Sequence, residues 1–300
     1  MKNHSQGLIV KSPLNYPGNK ARILSQIINH FPKNINVFVD VFGGSGIVGL
    51  NSESKFVLYN DISLPMISLL KYFKNNTFEF VLKDTLNNIK KYGLTNTFSF
   101  GKIYEIKRYE GLSLYNKIGF EKVKKDYNLD NKRDDLLFLL LVYGFNHYLR
   151  FNKKGYFNVP IGKVDLYPEL VSKMKIFIEA LNSRDITFLN LDYTNEDLYK
   201  KLAIDDFVYF DPPYRITNAP YNQSWSEVHD YKLFKLFDNL TKKSIKCAMS
   251  NVTLSNGKTN NDLIQWSDKY RVINITRNYL NSNYRKKNLS ETKEVLILNY

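Results

Sequence analysis

Residues 35–51 read INVFVDVFGGSGIVGLN, a run of β-branched and aromatic residues that enters a glycine cluster and then an apolar stretch. Such a run favours a buried strand, and the glycines predict a tight turn that opens a helix. A second strand-like run, KFVLYND at 55–61, ends on Asp61 and precedes the helix-like ISLPMISLLKYF at 62–73. This spacing predicts a β-α-β unit, the building block of a parallel sheet.

The same alternation returns towards the end of the sequence. Strands are predicted in DDFVYFDPPY (205–214) and SIKCAMSN (244–251), and helices near 227–241 and 259–268. The final apolar runs, YRVINIT and EVLILNY, indicate an antiparallel pair that closes the edge of the sheet. The predicted fold class is therefore α/β.

The middle of the chain has a different pattern, rich in Lys, Asn and Tyr. It predicts amphipathic helices near 77–91, 133–149, 166–182 and 195–203. YLRFNKKGYFNVPIG at 148–162 predicts a β-hairpin around a Lys-Lys-Gly turn. We interpret residues 1–70 and 190–300 as one domain, and 71–189 as an inserted, mainly helical domain that carries the hairpin.

Composition narrows the class of protein. Lys and Arg number 43 against 29 Asp and Glu, a formal charge of +14 that favours a polyanionic partner. The alternative is a solvated Lys-rich surface. Cys247 is the single cysteine, which excludes an intramolecular disulfide and a cysteine-based zinc cluster. The single cysteine fits a reducing setting, so we expect a cytoplasmic protein. The longest apolar run, LLFLLLVYGF at 136–145, is too short to span a bilayer and predicts a buried helix.

Two features at the predicted strand ends suit a nucleoside ligand. Gly43, Gly44 and Gly46 lie between a strand and a helix, where glycine lets backbone and ligand approach closely. The alternative is a turn needed only for helix–sheet packing. Asp61 ends the second strand, where a carboxylate can accept both hydroxyl protons of a ribose, although it is equally suited to cap the next helix. Together they indicate an adenosine-containing ligand.

The strongest motif is Asp211-Pro212-Pro213-Tyr214, at the end of a predicted strand. Two prolines continue neither a sheet ladder nor a helix, so they hold a stiff, extended turn. The Asp211 carboxylate and the Pro212 carbonyl can accept the two N–H bonds of an exocyclic aromatic amine, while Tyr214 can stack on its ring. The alternative is a rigid loop with a capping aspartate.

These motifs together resemble the Dam-type (class alpha) DNA adenine-N6 methyltransferases. The resemblance rests on NYPGNK (15–20), FVDVFGGSG, YND and DPPY in this order, and it covers nearly the whole chain. It implies a Rossmann-like S-adenosylmethionine methyltransferase sheet, with an inserted target-recognition domain at 71–189 and a catalytic domain formed by 1–70 and 190–300. It implies methyl transfer to the N6 amine of an adenine flipped out of double-stranded DNA.

The same resemblance assigns roles to individual residues. Asp211, Pro212, Pro213 and Tyr214 would be catalytic. The residues expected at the methyl donor are Tyr16, Lys20, Phe42, Gly43, Gly44, Gly46, Asp61, Asp192 and Asp211.

FNHYLRFNKKGYFNVPIGK at 145–163 resembles the DNA-reading hairpin of that family. Arg150 and Asn152 match an Arg-x-Asn pair, and these residue types suit a guanine and an adenine edge. Tyr148 stands where relatives commonly have leucine, and Lys153 and Lys154 are expected at phosphates. The alternative is a surface hairpin that only holds phosphates.

Tyr221 and Trp225, in the stretch that follows DPPY, are candidates to cover a flipped nucleotide; a packed surface loop is the alternative. The competing functions are an N4-cytosine DNA methyltransferase and a catalytically silent DNA-binding protein. Cys247 lies in the apolar run SIKCAMS and is predicted to be buried, which disfavours cytosine-C5 chemistry. We expect a monomer that needs no metal, membrane or obligate protein partner, and the family allows a role in restriction-modification.

Overall fold

The computed structural model describes residues 9–14, 18, 20–105, 109–129, 133–217, 225–276 and 292–300. The chain forms two compact units, each built from separate stretches of sequence. The sheet unit comprises Lys20–Gly43, Val48–Ile62 and Asp185–Tyr300, and the helical unit comprises Met1–Asn19, Gly44–Ile47 and Ser63–Arg184. The division of the chain into a catalytic and a recognition domain stays a prediction.

Eight strands in the described residues form one sheet. They are β1 (Ile35–Asp40), β2 (Ser54–Asn60), β3 (Asp185–Leu189), β4 (Phe207–Phe210), β5 (Lys246–Ser255), β6 (Lys258–Thr259), β7 (Arg271–Ile275) and β8 (Thr292–Leu298). The order is β3-β2-β1-β4-β5-β8-β7, with β6 paired to β5. The first five strands are parallel, whereas β8 is antiparallel to β5 and β7. This confirms the predicted α/β fold and its closing antiparallel pair.

The described helices are α1 (Leu24–Ile28), α2 (Ile47–Leu50), α3 (Leu64–Asn75), α4 (Phe78–Tyr92), α5 (Thr97–Phe100), α6 (Ser113–Leu129), α7 (Asp134–Tyr143), α8 (Pro168–Ser183), α9 (Glu227–Lys242) and α10 (Asn261–Ser267). Helices α3 to α8 make up most of the helical unit, so the mainly helical character of the middle of the chain is confirmed. No helix among the described residues is long and apolar enough to cross a membrane.

Local chemistry explains where the longer helices begin and end. Thr77 begins α4, since its hydroxyl accepts a hydrogen bond from the Phe80 amide at 3.2 Å. Gly93 ends α4 in the left-handed conformation, with φ of 64°. At the start of α9, Ser226 and His229 form a reciprocal capping box. These caps place both helices close to their predicted bounds.

Apolar side chains of α9 cover part of the core of the sheet unit. Leu233, Phe237 and Leu240 are buried together with Phe210 of β4 and Cys247 of β5. Burial raises the pKa of the Cys247 thiol well above its usual value. The prediction of a buried thiol is therefore confirmed, and a thiol of this kind is a poor nucleophile.

Two predicted helices differ from the structure, and one strand was not predicted. The helix predicted at 133–149 ends at Tyr143, because Asn146 and His147 follow with positive φ values of 51° and 54° that no helix accommodates. The helix predicted at 195–203 is only a single 3₁₀ turn, Glu196–Leu198. β3 was not predicted; it lies inside the predicted insertion but pairs in parallel with β2. β3 is a short edge strand without a fully buried residue, which explains its weak signal.

The predicted hairpin at 148–162 is a chain reversal with isolated bridges rather than two continuous strands. Phe151 pairs with Phe157, and the Asn152 amide donates to the Tyr156 carbonyl at 2.9 Å. Gly155 closes the turn with φ of 74°. The turn lies where the sequence predicts it.

Candidate active site

The carboxyl ends of three neighbouring parallel strands meet at one edge of the sheet unit. β1 lies between β2 and β4 and is parallel to both. The backbone stays connected beyond the strands, since the Gly43 amide donates to the Asn60 carbonyl at 2.8 Å. The chain continues from β1 to β2 and β3 on one side and then crosses to β4 on the other side of β1. This edge is therefore a topological switch point, the usual place for a ligand in such sheets.

Asp211, the first residue after β4, is held through both carboxylate oxygens. Its Oδ2 lies 2.7 Å from the Nζ of Lys20, and its Oδ1 accepts a hydrogen bond from the Tyr214 hydroxyl at 2.9 Å. The Lys20 ammonium also lies 5.0 Å from the centre of the Tyr214 ring. The structure thus brings together three residues that the sequence analysis selected from two separate motifs.

Glu294 of β8 is a fourth member of this cluster, and the sequence analysis missed it. Its Oε1 accepts from the Tyr214 hydroxyl at 3.2 Å and lies 3.7 Å from the Lys20 Nζ. The residue is 3% exposed and sits opposite Val252 on β5 and Ile275 on β7. The available signal was an acid at the start of the apolar run EVLIL, where a buried strand normally has none.

Asp40, the last residue of β1, is a further buried carboxylate near this edge. Burial raises its pKa from 3.8 to about 7, although a 3.1 Å hydrogen bond from the Gly49 amide lowers it. The charges of Asp211 and Asp61 raise this pKa further, while Lys20 lowers it. The carboxylates at the strand ends therefore repel one another, and a cation placed among them would be stabilised.

Arg215, which directly follows the DPPY motif, anchors the turn that contains Asp211. Pro212 is buried and Pro213 is half-buried. Arg215 donates from Nε to the Asp230 carboxylate at 2.8 Å and from Nη2 to the Asn260 side chain at 3.1 Å. These bonds connect the motif to the starts of α9 and α10, so both ends of the turn are held. Arg215 has no signal in the sequence beyond its position.

The glycine turn after β1 needs its glycines for two different reasons. A Cβ on Gly43 would lie 2.2 Å from the Cε2 atom of Tyr59, so close packing alone excludes a side chain there. Gly44 and Gly46 have φ values of 51° and 77°, in the region that favours glycine. The packing interpretation therefore applies to Gly43, and the ligand role of the turn stays a prediction.

Asp61 and Asp192 occupy different environments. Asp61 is buried directly after β2, and its carbonyl accepts from the Asn190 side chain at 2.8 Å. The N-cap position of α3 belongs to Ser63, so the interpretation of Asp61 as that cap is wrong. Asp192 is exposed, and its Oδ1 accepts from the Thr194 amide at 2.9 Å, which closes a local turn. The role of both carboxylates at the cofactor stays a prediction.

An aromatic cluster contains two of the candidate residues. The Phe42 ring lies 5.5 Å from that of Tyr193 and 5.7 Å from that of Trp225. Tyr193 and Trp225 are 5.2 Å apart. Trp225 thus has the packed environment of the alternative interpretation. Tyr16 and Tyr221 lie outside the described residues.

The two predicted base-reading residues of the hairpin, Arg150 and Asn152, differ in how their side chains are hydrogen-bonded. Arg150 is exposed, and its Nε and Nη2 donate to the side-chain and backbone oxygens of Asn158, both at 2.9 Å. The Asn152 Oδ1 accepts from the Lys154 amide at 2.9 Å and from the Tyr156 amide at 3.1 Å. Reading an adenine edge requires this oxygen as an acceptor. In the structure it already accepts two backbone amides, so Asn152 acts as a turn residue there.

The remaining hairpin residues differ in exposure. Lys153 and Lys154 are exposed at the turn, whereas Tyr148 is half-buried. The hairpin is docked through Asn128 of α6, whose side chain accepts from the Phe157 amide at 2.8 Å and donates to its carbonyl at 3.2 Å. These two hydrogen bonds fix the position of the hairpin against α6. The sequence analysis did not select Asn128 or Asn158.

Similarity to known proteins identifies the family in which the Asp211 cluster occurs. A profile described as D12 class N6 adenine-specific DNA methyltransferase matches residues 16–287. That range contains the glycine turn, the DPPY motif and the hairpin.

The chain belongs to this family. The D12 class assignment confirms the predicted resemblance. Individual relatives agree with it: the type II methyltransferase M.FokI of Planomicrobium okeanokoites is 32% identical over 99% of this chain and 44% of its own length. The modification methylase StsI of Streptococcus sanguinis is 33% identical over 97% of this chain and 43% of its own length. A DNA adenine methylase of Vibrio cholerae is 28% identical over 67% of this chain and 64% of its own length.

The chain therefore spans less than half the length of the first two relatives. The DPPY motif follows β4, a strand of the parallel part of the sheet, and the buried partners Lys20 and Glu294 come from outside the motif.

Proposed function

We propose that this chain transfers the methyl group of S-adenosylmethionine to the N6 amine of adenine in double-stranded DNA. One observation carries the proposal: in a member of the D12 class, Asp211 is held at the switch-point edge of the sheet by Lys20 and Tyr214. An acceptor fixed in this way suits a substrate that must be oriented rather than covalently attacked.

The amine of adenine needs orientation because its lone pair is delocalised into the ring. The Asp211 carboxylate and the Pro212 carbonyl would accept its two N–H bonds and direct the lone pair at the methyl group. Reaction is then a direct displacement, in which a nitrogen–carbon bond forms and the carbon–sulfur bond breaks. The buried thiol of Cys247 supports this route over cytosine-C5 chemistry, which needs a thiolate.

The chemistry of the strand-end residues fits a cationic methyl donor. S-adenosylmethionine carries a sulfonium group, and the edge offers the carboxylates Asp40, Asp61 and Asp211. Burial raises the pKa of Asp40, and the charges of Asp211 and Asp61 raise it further. Asp61, buried after β2, would hold the ribose hydroxyls. The other residues proposed at the cofactor are Tyr16, Lys20, Phe42, Gly43, Gly44, Gly46 and Asp192.

The hairpin is proposed to read the target sequence. Two nitrogens of the Arg150 guanidinium are fixed by Asn158, and a guanidinium has five N–H donors, so donors are left for a guanine edge. Lys153 and Lys154, exposed on the turn, would hold phosphates. The adenine would be flipped out of the stack, at a cost of a few kcal/mol.

The relatives' names suggest a biological setting. M.FokI is described as a type II methyltransferase and StsI as a modification methylase. We therefore propose a role in modification of DNA within a bacterial or phage-infected cytoplasm, carried out by a monomer.

The proposal is tested by incubating the purified protein with labelled S-adenosylmethionine and unmodified genomic DNA, followed by nucleoside analysis and mapping of the modified sites. We expect N6-methyladenine in one short sequence context, and no label from an Asp211→Ala variant. N4-methylcytosine would replace the proposed product with the cytosine alternative. Tight DNA binding without label would leave a silent DNA-binding protein.

A further inference from the structure

The hydroxyl group of Tyr214 faces two carboxylates. Its oxygen lies 2.9 Å from Asp211 Oδ1 and 3.2 Å from Glu294 Oε1. A phenol has a single proton, so it can donate to one of these oxygens at a time. Burial and the charges of Asp211 and Glu294 raise the pKa of Tyr214 well above its usual value, so the hydroxyl remains a donor at neutral pH.

The proposed substrate amine would be a third donor to the Asp211 carboxylate, and each donor that the carboxylate already has weakens it as an acceptor for the amine. In the structure, Lys20 occupies one oxygen of Asp211 and Tyr214 the other. The proposed substrate amine needs an oxygen of the same carboxylate. A buried hydroxyl that loses its acceptor pays the cost of an unsatisfied polar group, so displacement of Tyr214 is unfavourable without a second acceptor.

We propose that Glu294 is a positioning residue that takes over the hydrogen bond of the Tyr214 hydroxyl when the substrate amine binds Asp211. The exchange rests on the proposed function. It requires only rotation of the hydroxyl about its C–O bond, because both acceptors are already within reach of the same oxygen atom. The Tyr214 ring and the Asp211 carboxylate therefore keep their positions while the amine binds.

The surroundings of Glu294 suit an acceptor that must not move. Its side chain is 2% exposed and lies 3.7 Å from the Lys20 ammonium. Its backbone is paired on both sides, with Val252 of β5 and Ile275 of β7. A buried carboxylate is costly unless it has polar or charged partners, and Glu294 has Lys20 and the Tyr214 hydroxyl. Its position is therefore better explained by a role at Tyr214 than by packing.

The first test measures stability, and it needs no catalytic activity. Unfolding free energies are compared for Asp211→Ala, Glu294→Met and the double variant. Since each single variant leaves the hydroxyl one carboxylate acceptor, we expect the double variant to lose more stability than the sum of the two. Lys20 also loses both carboxylates, so the same cycle is repeated with Tyr214→Phe. The excess loss must shrink there; an additive cycle, or one unchanged by Tyr214→Phe, overturns the proposal.

The second test measures turnover, and it decides the matter if the double variant does not fold. Glu294→Met should lower kcat about tenfold, the scale expected for one unsatisfied buried hydroxyl, while KM for S-adenosylmethionine stays near its original value. Glu294→Gln keeps an acceptor oxygen and should restore most of kcat. Equal losses in both variants would mean that charge, not an acceptor, matters, and would overturn the proposal. If the wild-type protein methylates no DNA, the proposed function is wrong. The stability cycle then still tests whether Asp211 and Glu294 are alternative acceptors for the Tyr214 hydroxyl.

Discussion

The Asp211 cluster and the hairpin hold their functional side chains by opposite means. In the cluster, Tyr214 and Glu294 are 80 residues apart in sequence, and Lys20 and Glu294 are only 3% exposed. In the hairpin, Arg150 is exposed and its partner lies eight residues away. Long-range partners and burial make the cluster stiff and electrostatically strong, whereas local partners leave the hairpin accessible to a large ligand. Chemistry and recognition should therefore respond differently to substitution.

The largest effect is expected from Asp211→Ala. Removing the acceptor that orients the amine should lower the rate of methyl transfer at least about a hundredfold, as loss of one fixed charge-stabilising group commonly does. Affinity for duplex DNA should change little, because the hairpin is untouched. The measurement is the initial rate together with a DNA-binding isotherm.

Asp205→Ala is the matched control, since Asp205 is exposed just before β4, the strand that Asp211 follows. It should retain normal rates. A substantial rate in Asp211→Ala, or an equal loss of DNA affinity, would remove the distinction between the two regions.

The same difference explains what the sequence could predict. The DPPY motif stands out because two prolines directly follow a hydrophobic strand, which is a local signal. Glu294 has only a weak local signal, an acid at the start of an apolar run. It reaches the cluster through the antiparallel register of β8 with β5, which places it opposite Val252. Register depends on pairing between distant strands and cannot be read from one of them.

The hairpin shows the opposite limit. Its turn is a local pattern and was predicted correctly, whereas the base-reading role of Asn152 stays a prediction. An asparagine beside a Lys-Lys-Gly turn can read a base or accept the turn's own amides, and both uses have the same sequence. The two bonds to Lys154 and Tyr156 favour the second use.

A second expected effect concerns the pH dependence of stability. The folded-state pKa of Asp40 is raised from 3.8 to about 7, so the folded protein holds a proton that the unfolded chain releases between these values. This carboxyl therefore stabilises the fold below about pH 4, and that contribution is lost as the pH rises through about 7. Asp40→Asn should flatten this decline, which amounts to a few kcal/mol at most.

Unfolding by urea from pH 4 to 8 measures the decline. Asp192→Asn is the control, because Asp192 is exposed and its variant should follow the wild-type curve. A decline that persists unchanged in Asp40→Asn would show that the strand-end edge lacks the strong electrostatics attributed to it here.

Recognition should show a smaller and more selective effect. Arg150→Ala should relax sequence preference by about 1–3 kcal/mol at one base pair, the scale of a bidentate contact. Asn158→Ala should cause part of the same loss, because it removes the side-chain oxygen that accepts from the guanidinium Nε but keeps the backbone carbonyl that accepts from Nη2. The measurement is kcat/KM on the mapped site and on single-base variants of it. If both substitutions weaken cognate and random DNA alike, Arg150 is a phosphate contact.

The smallest effect is expected from the two lysines at the hairpin turn. Lys153→Ala and Lys154→Ala should each weaken binding uniformly across sequences and reduce the slope of log affinity against log salt by about one. Lys55→Ala, on an exposed lysine early in β2, is the control and should leave the slope unchanged. Since a phosphate contact carries no sequence information, any change in sequence preference from Lys153 or Lys154 would contradict the division of the hairpin into one reading arginine and two anchoring lysines. A uniform loss combined with the selective loss in Arg150→Ala would separate affinity from specificity within eight residues of chain. Asp211, half-buried in the sheet unit, should affect only the rate.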